Sequence, residues 1–242
     1  MKRYPGQVWF LPPEFEAGGD SKRRPHLLLT TCDEDDNGVF SYGSTKPTEA
    51  LFGAAFLIVD PAASADPQTG FTRPTYIYPS RLVAVAPVDF GRLAGRLTHH
   101  LPQVRELLAT ALGLGSGTTV GFGAASFSWR GRVVLLSVGV SDSLGYRYGI
   151  VLTEATYSRS QRYQIIVPMD DLAHFQAEPG DIVRADLSWL SMVDPEMTAV
   201  LIGVADVQSV FHPVDIERWT GAVVDDGTLN DIEEALKKLF EL

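Results

Sequence analysis

Short apolar runs separated by polar, turn-forming clusters account for most of the chain. The runs are rich in Val, Ile, Leu, Tyr and Phe, and the clusters between them are rich in Gly, Pro, Asp and Asn. Such runs predict the strands of a small, strongly bent sheet or barrel. Two stretches differ, because the apolar residues from Leu101 to Leu112 and from Leu229 to Phe240 recur at helical spacing. The pattern therefore predicts mainly β structure with two amphipathic helices, each following a set of strands.

The same order of segments occurs twice along the chain. Both copies begin with a Gly followed by an apolar run, and both continue with an Arg that precedes a second apolar run. The matched segments are 6–11 with 131–136, 24–30 with 147–153, and 87–95 with 213–221. The last pair is the strongest, with five identities in nine residues on the pattern P-V-D-x-x-R-x-x-G. Because the offset changes by only a few residues, the pattern indicates a duplication with insertions and deletions in loops.

A glycine-rich segment separates the two copies. The first predicted helix ends at Gly113, and glycines recur from there to Gly123, which is typical of a turn-prone linker. We therefore predict one domain over residues 1–114 and a second over residues 128–242. Domains of this size are able to bury an apolar core of their own.

The chain is acidic overall, but its charge is uneven. With 20 Lys and Arg against 30 Asp and Glu, the net charge is −10, which argues against a protein that coats nucleic acid indiscriminately through phosphate contacts. Residues 1–118 carry 11 basic and 12 acidic side chains, whereas residues 119–242 carry 9 and 18. We therefore expect an anionic ligand to prefer the first half.

The cysteines and histidines of the sequence argue against a disulfide-stabilised or zinc-stabilised protein. Cys32 is the single cysteine, which rules out an internal disulfide, and the five histidines show no spacing typical of a structural zinc site. We expect no cofactor and no metal. The chain also has no targeting signal and no apolar run of about 18 residues, so we expect a cytoplasmic protein without a membrane span.

The order of these segments resembles the MazF/PemK toxin family. The shared features are a Gly-led first strand, a polar loop ending in Arg24-Pro25, a strand that ends near Thr45, and the V-D-x-x-R-x-x-G segment before a helix. The resemblance spans residues 4–114 and, more weakly, 128–242. It implies two tandem SH3-like barrels, each closed by a C-terminal amphipathic helix. Because family members pair as homodimers, it also implies that one chain supplies an intrachain pseudo-dimer.

The resemblance also implies an activity, since members of the family cut single-stranded RNA and are silenced by an antitoxin protein. The reaction expected here requires no metal. The resemblance assigns catalysis to Arg24 and Thr45. A guanidinium can grip two phosphoryl oxygens while negative charge develops on them, and a hydroxyl can hold the reacting group in line. The expected products are a 2′,3′-cyclic phosphate and a 5′-hydroxyl. We expect further RNA contacts from five residues around these two: Lys22, Arg23, Ser44, Lys46 and Phe15, the last by stacking on a base.

The second copy departs from the family pattern. Arg147 matches Arg24, but Tyr148 replaces the proline, and Asp170 stands where the family's Thr is expected. We therefore predict that the second domain does not carry out the reaction. An alternative for the whole chain is a non-catalytic protein-binding module, as in the gyrase-poisoning CcdB form of this fold, and the low basic content favours it.

Two other polar clusters have both a functional and a structural explanation. The acidic run Asp33–Asp36 could repel RNA or mimic a phosphate chain, but a cluster of Asp, Asn and Gly between apolar runs predicts a hairpin turn. The pair His99-His100 could bind metal or act as acid and base, but no third ligand is near in sequence. We predict that these histidines mark the solvent-facing start of the first helix.

Overall fold

The computed structural model describes residues 2–12, 23–47, 56–114, 129–153 and 163–242, and these residues form two antiparallel sheets. The first sheet consists of β1 (Gln7–Phe10), β2 (Pro25–Leu28), β3 (Gly38–Ser44), β4 (Leu57–Val59), β5 (Thr75–Val85) and β6 (Arg92–Arg96). Its strand order is β4-β5-β3-β2-β1-β6. Helix α1 (Leu101–Ala111) follows the last strand.

The second sheet is formed by the rest of the chain. Its strands are β7 (Arg132–Leu136), β8 (Tyr148–Val151), β9 (Tyr163–Asp171), β10 (Ile182–Ala185), β11 (Ala199–Ile202), β12 (Gln208–Phe211) and β13 (Ile216–Val223). The helices between and after them are α2 (Val138–Leu144), α3 (Leu190–Val193), α4 (His212–Asp215) and α5 (Asp226–Phe240). The strand order is β10-β11-β9-β8-β7-β13, with β12 also paired to β9. Together the two sheets confirm the prediction of a mainly β protein with a few helices.

The two sheets have corresponding strand orders and share one irregularity. In the first sheet, Ser41 pairs with Leu82 but the next residue, Tyr42, pairs with Tyr78, so three residues of β5 bulge out of the ladder. In the second sheet, Met169 pairs with Ile202 and Ile166 pairs with Gln208. Between these pairs, the segment from β11 to β12 again contains three residues more than the facing part of β9. There the extra length forms a short 3₁₀ turn at Val204–Asp206 between β11 and β12. The strands β11 and β12 therefore occupy the place that β5 holds alone.

Apolar faces of the strands and helices meet in a core that extends through both halves. In α1 the buried positions are Val104, Leu108 and Ala111, and in α5 they include Ile232, Leu236 and Phe240. These side chains belong to one cluster that also contains buried residues of both sheets. Amphipathic spacing of three and four residues produces this arrangement, since it directs one face of each helix onto the sheets. None of the described helices is long and apolar enough to cross a membrane.

The bulge of β5 is also where the two halves touch. The hydroxyl of Ser209, in β12, donates to the carbonyl oxygen of Ser80 (2.9 Å) and accepts the N–H of Leu82 (2.8 Å). Arg81 returns a bond from its guanidinium to the Ser209 carbonyl oxygen (3.0 Å). Ser80 lies in the bulge outside the β3–β5 ladder, so the second half satisfies a backbone carbonyl that would otherwise be costly to bury.

Further contacts between the halves lie away from this bulge. The side-chain amide of Asn37 donates to the Asp206 carboxylate (2.7 Å), and the guanidinium of Arg130 donates to the carbonyl oxygen of Leu112 (2.5 Å). Arg105 in α1 forms an ion pair with Glu241, just after α5. These bonds join the ends of both sheets and both long helices. The two halves therefore hold each other at several separate points.

Candidate functional site

A cleft of about 290 Å³ opens where five neighbouring strands of the first sheet end or begin. Strands β1 and β3 end there, and β2, β5 and β6 begin there, because adjacent antiparallel strands alternate in direction. The residues that line the cleft are Phe10, Arg23, Arg24, Pro25, Gly43, Ser44, Thr45, Gly70, Phe71, Thr72, Arg73, Thr75 and Arg92.

Two glycines allow the backbones around the cleft to approach one another closely. A Cβ atom placed on Gly43 would lie 2.5 Å from the carbonyl oxygen of Pro25. A Cβ atom on Gly91 would collide with the carbonyl oxygen of Phe10. Glycine is the residue that permits such an approach. As a result β2 lies tightly against β3 at Pro25, next to Arg24, and the chain entering β6 brings Arg92 to the end of β1.

The cleft is strongly cationic although the protein is acidic. Four of its lining residues are arginines (Arg23, Arg24, Arg73 and Arg92), and none of the lining residues is Asp or Glu. The whole chain carries a net charge of −10. Arginines gathered in a concave surface concentrate positive potential and bind oxyanions in a planar, bidentate fashion. The cleft is therefore suited to a phosphate-bearing ligand.

Arg24 is positioned by two neighbours from the face of the sheet on which it lies. Its guanidinium carbon is 5.9 Å from the centroid of the Tyr42 ring, within reach of a cation–π contact. Its carbonyl oxygen accepts a hydrogen bond from Nδ1 of His26 (3.1 Å). His26 is fully buried, and burial, together with the charges of Arg81 and Arg24, outweighs this hydrogen bond and lowers its pKa to about 4. The imidazole is therefore neutral at ordinary pH and keeps its proton on Nδ1 for the Arg24 carbonyl.

Ser44 and Thr45 bring hydroxyl groups to the same place. Because His26 pairs with Tyr42 in the β2–β3 ladder, continuing that register sets Arg24 opposite Ser44. Ser44 is buried, and its oxygen accepts the N–H of Lys46 (3.2 Å), which orients the hydroxyl. Thr45 follows the strand and is exposed. Both hydroxyls line the cleft with the Arg24 guanidinium.

The structure brings together four of the seven residues predicted from sequence. Arg23, Arg24, Ser44 and Thr45 all line the cleft, whereas Lys46 is exposed next to it and is not among the lining residues. Lys22 and Phe15 lie outside the described residues. The acidic run forms a bend before β3, in which the Asp36 carboxylate accepts the N–H of Asp33 (3.1 Å). In the histidine pair, His100 immediately precedes α1.

Sequence reasoning missed two arginines of the cleft, Arg73 and Arg92. Both carry a signal that could have identified them. Arg73 precedes Pro74, which makes it a second Arg-Pro pair in the first half, and Arg92 is the arginine of the repeated P-V-D-x-x-R-x-x-G segment. Arg92 lies 5.6 Å from the centroid of the Phe10 ring, which holds it at the end of β1. The hydroxyls of Thr72 and Thr75 were missed as well.

The corresponding place in the second half is occupied by an internal ion pair. Arg147 precedes β8 as Arg24 precedes β2, and its guanidinium donates to the Asp170 carboxylate from Nε (3.0 Å) and from a terminal nitrogen (2.8 Å). The backbone N–H of Arg147 donates to the same carboxylate (2.8 Å). The Asp170 side chain is only 3% exposed, and its hydrogen bonds raise the pKa of Arg147. The charge of Arg147 is therefore already neutralised by Asp170.

Strand pairing changes the residue that Asp170 matches in the first half. Tyr148 pairs with Met169 in the β8–β9 ladder, so Arg147 faces Asp170 as Arg24 faces Ser44. The sequence comparison paired Asp170 with Thr45 and is therefore wrong by one residue. The physical difference between the halves at this position is a carboxylate in place of a serine hydroxyl.

Within the described parts of the chain, no three His, Cys, Asp or Glu side chains lie close enough to share a metal ion. No protein-family model matches the chain, and no curated protein matches it either.

Solved structures give partial matches. Two mycobacterial endoribonucleases are similar to about half of the chain. One is an endoribonuclease in complex with its cognate antitoxin from Mycobacterial species, with 16% identity and a TM-score of 0.36 over 48% of this chain and 96% of that chain. The other is an endoribonuclease from Mycobacterial species, with 14% identity and a TM-score of 0.33 over 48% of this chain and 92% of that chain.

Proposed function

We propose that this protein is a metal-independent endoribonuclease of the toxin–antitoxin type, which cleaves single-stranded RNA in the cleft of its first half. The observation that carries the proposal is the cleft itself, in which four arginines and several hydroxyls converge without a carboxylate among the lining residues. Its small volume suits one phosphodiester and its immediate neighbours rather than a duplex. The segment order shared with the MazF/PemK family supports the same activity.

In the proposed reaction the 2′-oxygen of a ribose attacks the adjacent phosphorus. A bond forms between that oxygen and phosphorus, and the bond from phosphorus to the 5′-oxygen of the next nucleotide breaks. The 2′-hydroxyl loses its proton and the departing 5′-oxygen gains one, so the products are a 2′,3′-cyclic phosphate and a 5′-hydroxyl. Arg24 stabilises the negative charge that develops on the two non-bridging oxygens. Ser44 and Thr45 hold the phosphate in line by hydrogen bonding.

The remaining arginines would bind phosphates on either side of the cleaved one. Arg23 lies next to Arg24 in sequence, whereas Arg73 and Arg92 come from the segments that enter β5 and β6. Spreading positive charge along the cleft favours a flexible chain that carries one negative charge per nucleotide. We propose Lys22, Lys46 and Phe15 as additional contacts of the same RNA.

We infer that the two halves derive from one duplicated SH3-like barrel and form an intrachain pseudo-dimer. The corresponding strand orders and the shared three-residue bulge support this inference. Contact between β5 and β12 supports it too, because a symmetric dimer places equivalent surfaces against each other. In this arrangement residues 1–114 carry the reaction, and residues 128–242 form an inactive partner in which Asp170 neutralises Arg147.

An antitoxin that covers the cleft would have to match four arginines. We propose a partner with an acidic segment, since carboxylates pair with guanidinium groups in the geometry that phosphates use.

The test is to incubate the protein with mixed-sequence single-stranded RNA in EDTA and to identify the new ends. The proposal expects fragments that end in 2′,3′-cyclic phosphate and begin with a 5′-hydroxyl, and it expects them to form far more slowly with Arg24→Ala. Absence of cutting across varied sequences would instead favour the non-catalytic binding module.

A further inference from the structure

A cluster of six aromatic rings lies where the two halves meet. Tyr42, Tyr78 and Tyr163 are buried in it, and three more rings pack against them and stay partly exposed: Phe56, Tyr76 and Phe211. Tyr163 and Phe211 belong to the second half, and the other four belong to the first. We call this set the junction ring cluster.

The three outer rings lie against their neighbours at close range. The centroids of Phe56 and Tyr76 are 5.3 Å apart with the rings at 62° to each other, and those of Tyr163 and Phe211 are 5.2 Å apart at 41°. Tilted and edge-to-face contacts of this kind fix the orientation of a ring. Phe56, Tyr76 and Phe211 thus present held, partly exposed aromatic surface rather than freely moving side chains.

The cluster is continuous with the arginine-lined cleft. Arg24, a lining residue, has its guanidinium carbon 5.9 Å from the ring centroid of Tyr42, a cluster member. Ser44, also a lining residue, pairs directly with Tyr76 in the β3–β5 ladder, which places their Cβ atoms about 5 Å apart. A phosphate bound at Arg24 and Ser44 therefore lies within one nucleotide's reach of the Tyr76 ring.

A second arginine contacts the cluster at the junction between the halves. The guanidinium carbon of Arg81 is 4.4 Å from the centroid of the Tyr163 ring, and Arg81 also bonds to Ser209 of the second half. Arginines therefore contact the cluster both at the cleft and at the junction between the halves. Proteins that bind single-stranded nucleic acid combine these two components, since arginines follow the phosphates and rings stack on bases.

We propose that the junction ring cluster is a stacking platform for a nucleobase adjacent to the phosphate bound at Arg24. Tyr76 and Phe56 form its first-half side, and Phe211 brings the second half into direct contact with the RNA. The proposal rests on RNA binding in the cleft, and it assigns the second half a role in binding that does not depend on its own arginine. Stacking is tolerant of base identity, so the platform favours single strands without fixing a sequence.

The alternative is that the rings only stabilise the contact between the two halves. The two roles differ in their dependence on a base: a stacking platform loses affinity for RNA when a ring is removed but binds an abasic phosphodiester chain unchanged. A purely structural ring affects thermal unfolding and both ligands alike, or neither ligand.

The experiment measures binding of uncleavable 2′-O-methyl oligoribonucleotides that carry 2-aminopurine at each position in turn, because stacking quenches its fluorescence. The variants are Tyr76→Leu, Phe211→Leu and the ring-preserving Tyr76→Phe. Tyr4→Leu is the matched control, since Tyr4 is a 54% exposed tyrosine outside the cluster. Thermal unfolding of each variant establishes that it is folded, and an abasic oligonucleotide of equal length serves as the second ligand.

We expect quenching at one position with the wild-type protein, Tyr76→Phe and Tyr4→Leu. We expect that quenching to disappear in Tyr76→Leu and Phe211→Leu, with about tenfold weaker binding and unchanged binding of the abasic chain. Wild-type binding with equal quenching and affinity in both leucine variants would overturn the platform alone. Failure of the wild type to bind any oligonucleotide, or binding that survives Arg24→Ala unchanged, would overturn the RNA-binding cleft on which it rests.

Discussion

Arg147 and Asp170 form an ion pair, with the carboxylate buried and the guanidinium partly exposed, at the position where Arg24 and Ser44 face each other in the first half. The Arg147 side chain is 42% exposed, whereas the Asp170 side chain is 3% exposed and accepts bonds from the guanidinium and from two backbone N–H groups. One half therefore offers an arginine beside a hydroxyl, and the other offers an arginine whose charge is already neutralised. The asymmetry predicts different consequences for the same substitution in the two halves.

Arg147→Ala is expected to lower stability more than Arg24→Ala. Removing Arg147 leaves the buried Asp170 carboxylate without its charged donors, which costs roughly 2 kcal/mol. Removing Arg24 leaves no buried carboxylate behind, so the expected cost is below about 1 kcal/mol. Urea unfolding of both variants measures the difference. If Arg147→Ala unfolds at the wild-type midpoint, Arg147 does not stabilise the buried Asp170 carboxylate.

The cleft predicts a binding constant for RNA that falls steeply with salt. Four arginines neutralising phosphates of a single strand give a slope of about −3 for log K against log salt concentration, at about 0.7 per contact. Arg92→Ala should reduce the magnitude of that slope by about 0.7. Arg96→Ala is the matched control, since Arg96 is exposed in the same strand but does not line the cleft. Equal slopes for the two variants would remove Arg92 from the RNA contacts.

His26 predicts a loss of stability under mildly acidic conditions. Its pKa is about 4 in the folded protein against an ordinary value of 6.5, so between these values the unfolded chain binds a proton that the folded protein does not. Stability is therefore complete above about pH 6.5 and falls as the pH drops towards 4, by up to about 3 kcal/mol. Urea unfolding at pH 7 and pH 5 measures the fall.

His26→Gln is the informative variant for this effect. Its side-chain amide is able to donate to the Arg24 carbonyl oxygen but does not titrate. The variant should lose that part of the pH dependence contributed by the imidazole. A variant whose stability between pH 7 and pH 5 follows the wild type would assign the effect to other groups.

Gly43→Ala tests whether the close approach of β2 and β3 shapes the cleft. The added Cβ would lie 2.5 Å from the Pro25 carbonyl oxygen, so one of the strands must move, and Arg24 moves with it. A shift of about 1 Å at a positioning group costs about 100-fold in rate. Gly139→Ala is the control, because nothing lies within 4 Å of a Cβ at that position. Cleavage by Gly43→Ala at the wild-type rate would show that the strands yield without displacing Arg24.

Local sequence patterns predicted more of the architecture than of the site. Alternating apolar runs and glycine or proline clusters determine strands locally, and the repeated segments give their order, so the mainly β class follows from the sequence. The ends of β1, β3, β5 and β6 meet only through the sheet order, which no local pattern specifies. Arg73 and Arg92 join Arg24 for that reason, and their distance along the chain concealed it.

The register of the β8–β9 pairing explains why the sequence comparison misaligned Asp170. Sequence matching aligned Asp170 with Thr45, because a loop of different length precedes each strand. Hydrogen-bonded pairing aligns Asp170 with Ser44 instead. In an antiparallel ladder a shift of one residue exchanges the two faces of a strand. Only the correct register sets Asp170 beside Arg147 and reveals why the two halves differ chemically.

The most direct test of the asymmetric active half is single-turnover RNA cleavage by Arg24→Ala and Arg147→Ala, compared at a temperature where both are folded. The asymmetry predicts a loss of about 100-fold to 1,000-fold in the rate constant for Arg24→Ala and a rate for Arg147→Ala within about threefold of the wild type. Equal losses in both variants, or a loss confined to Arg147→Ala, would contradict it.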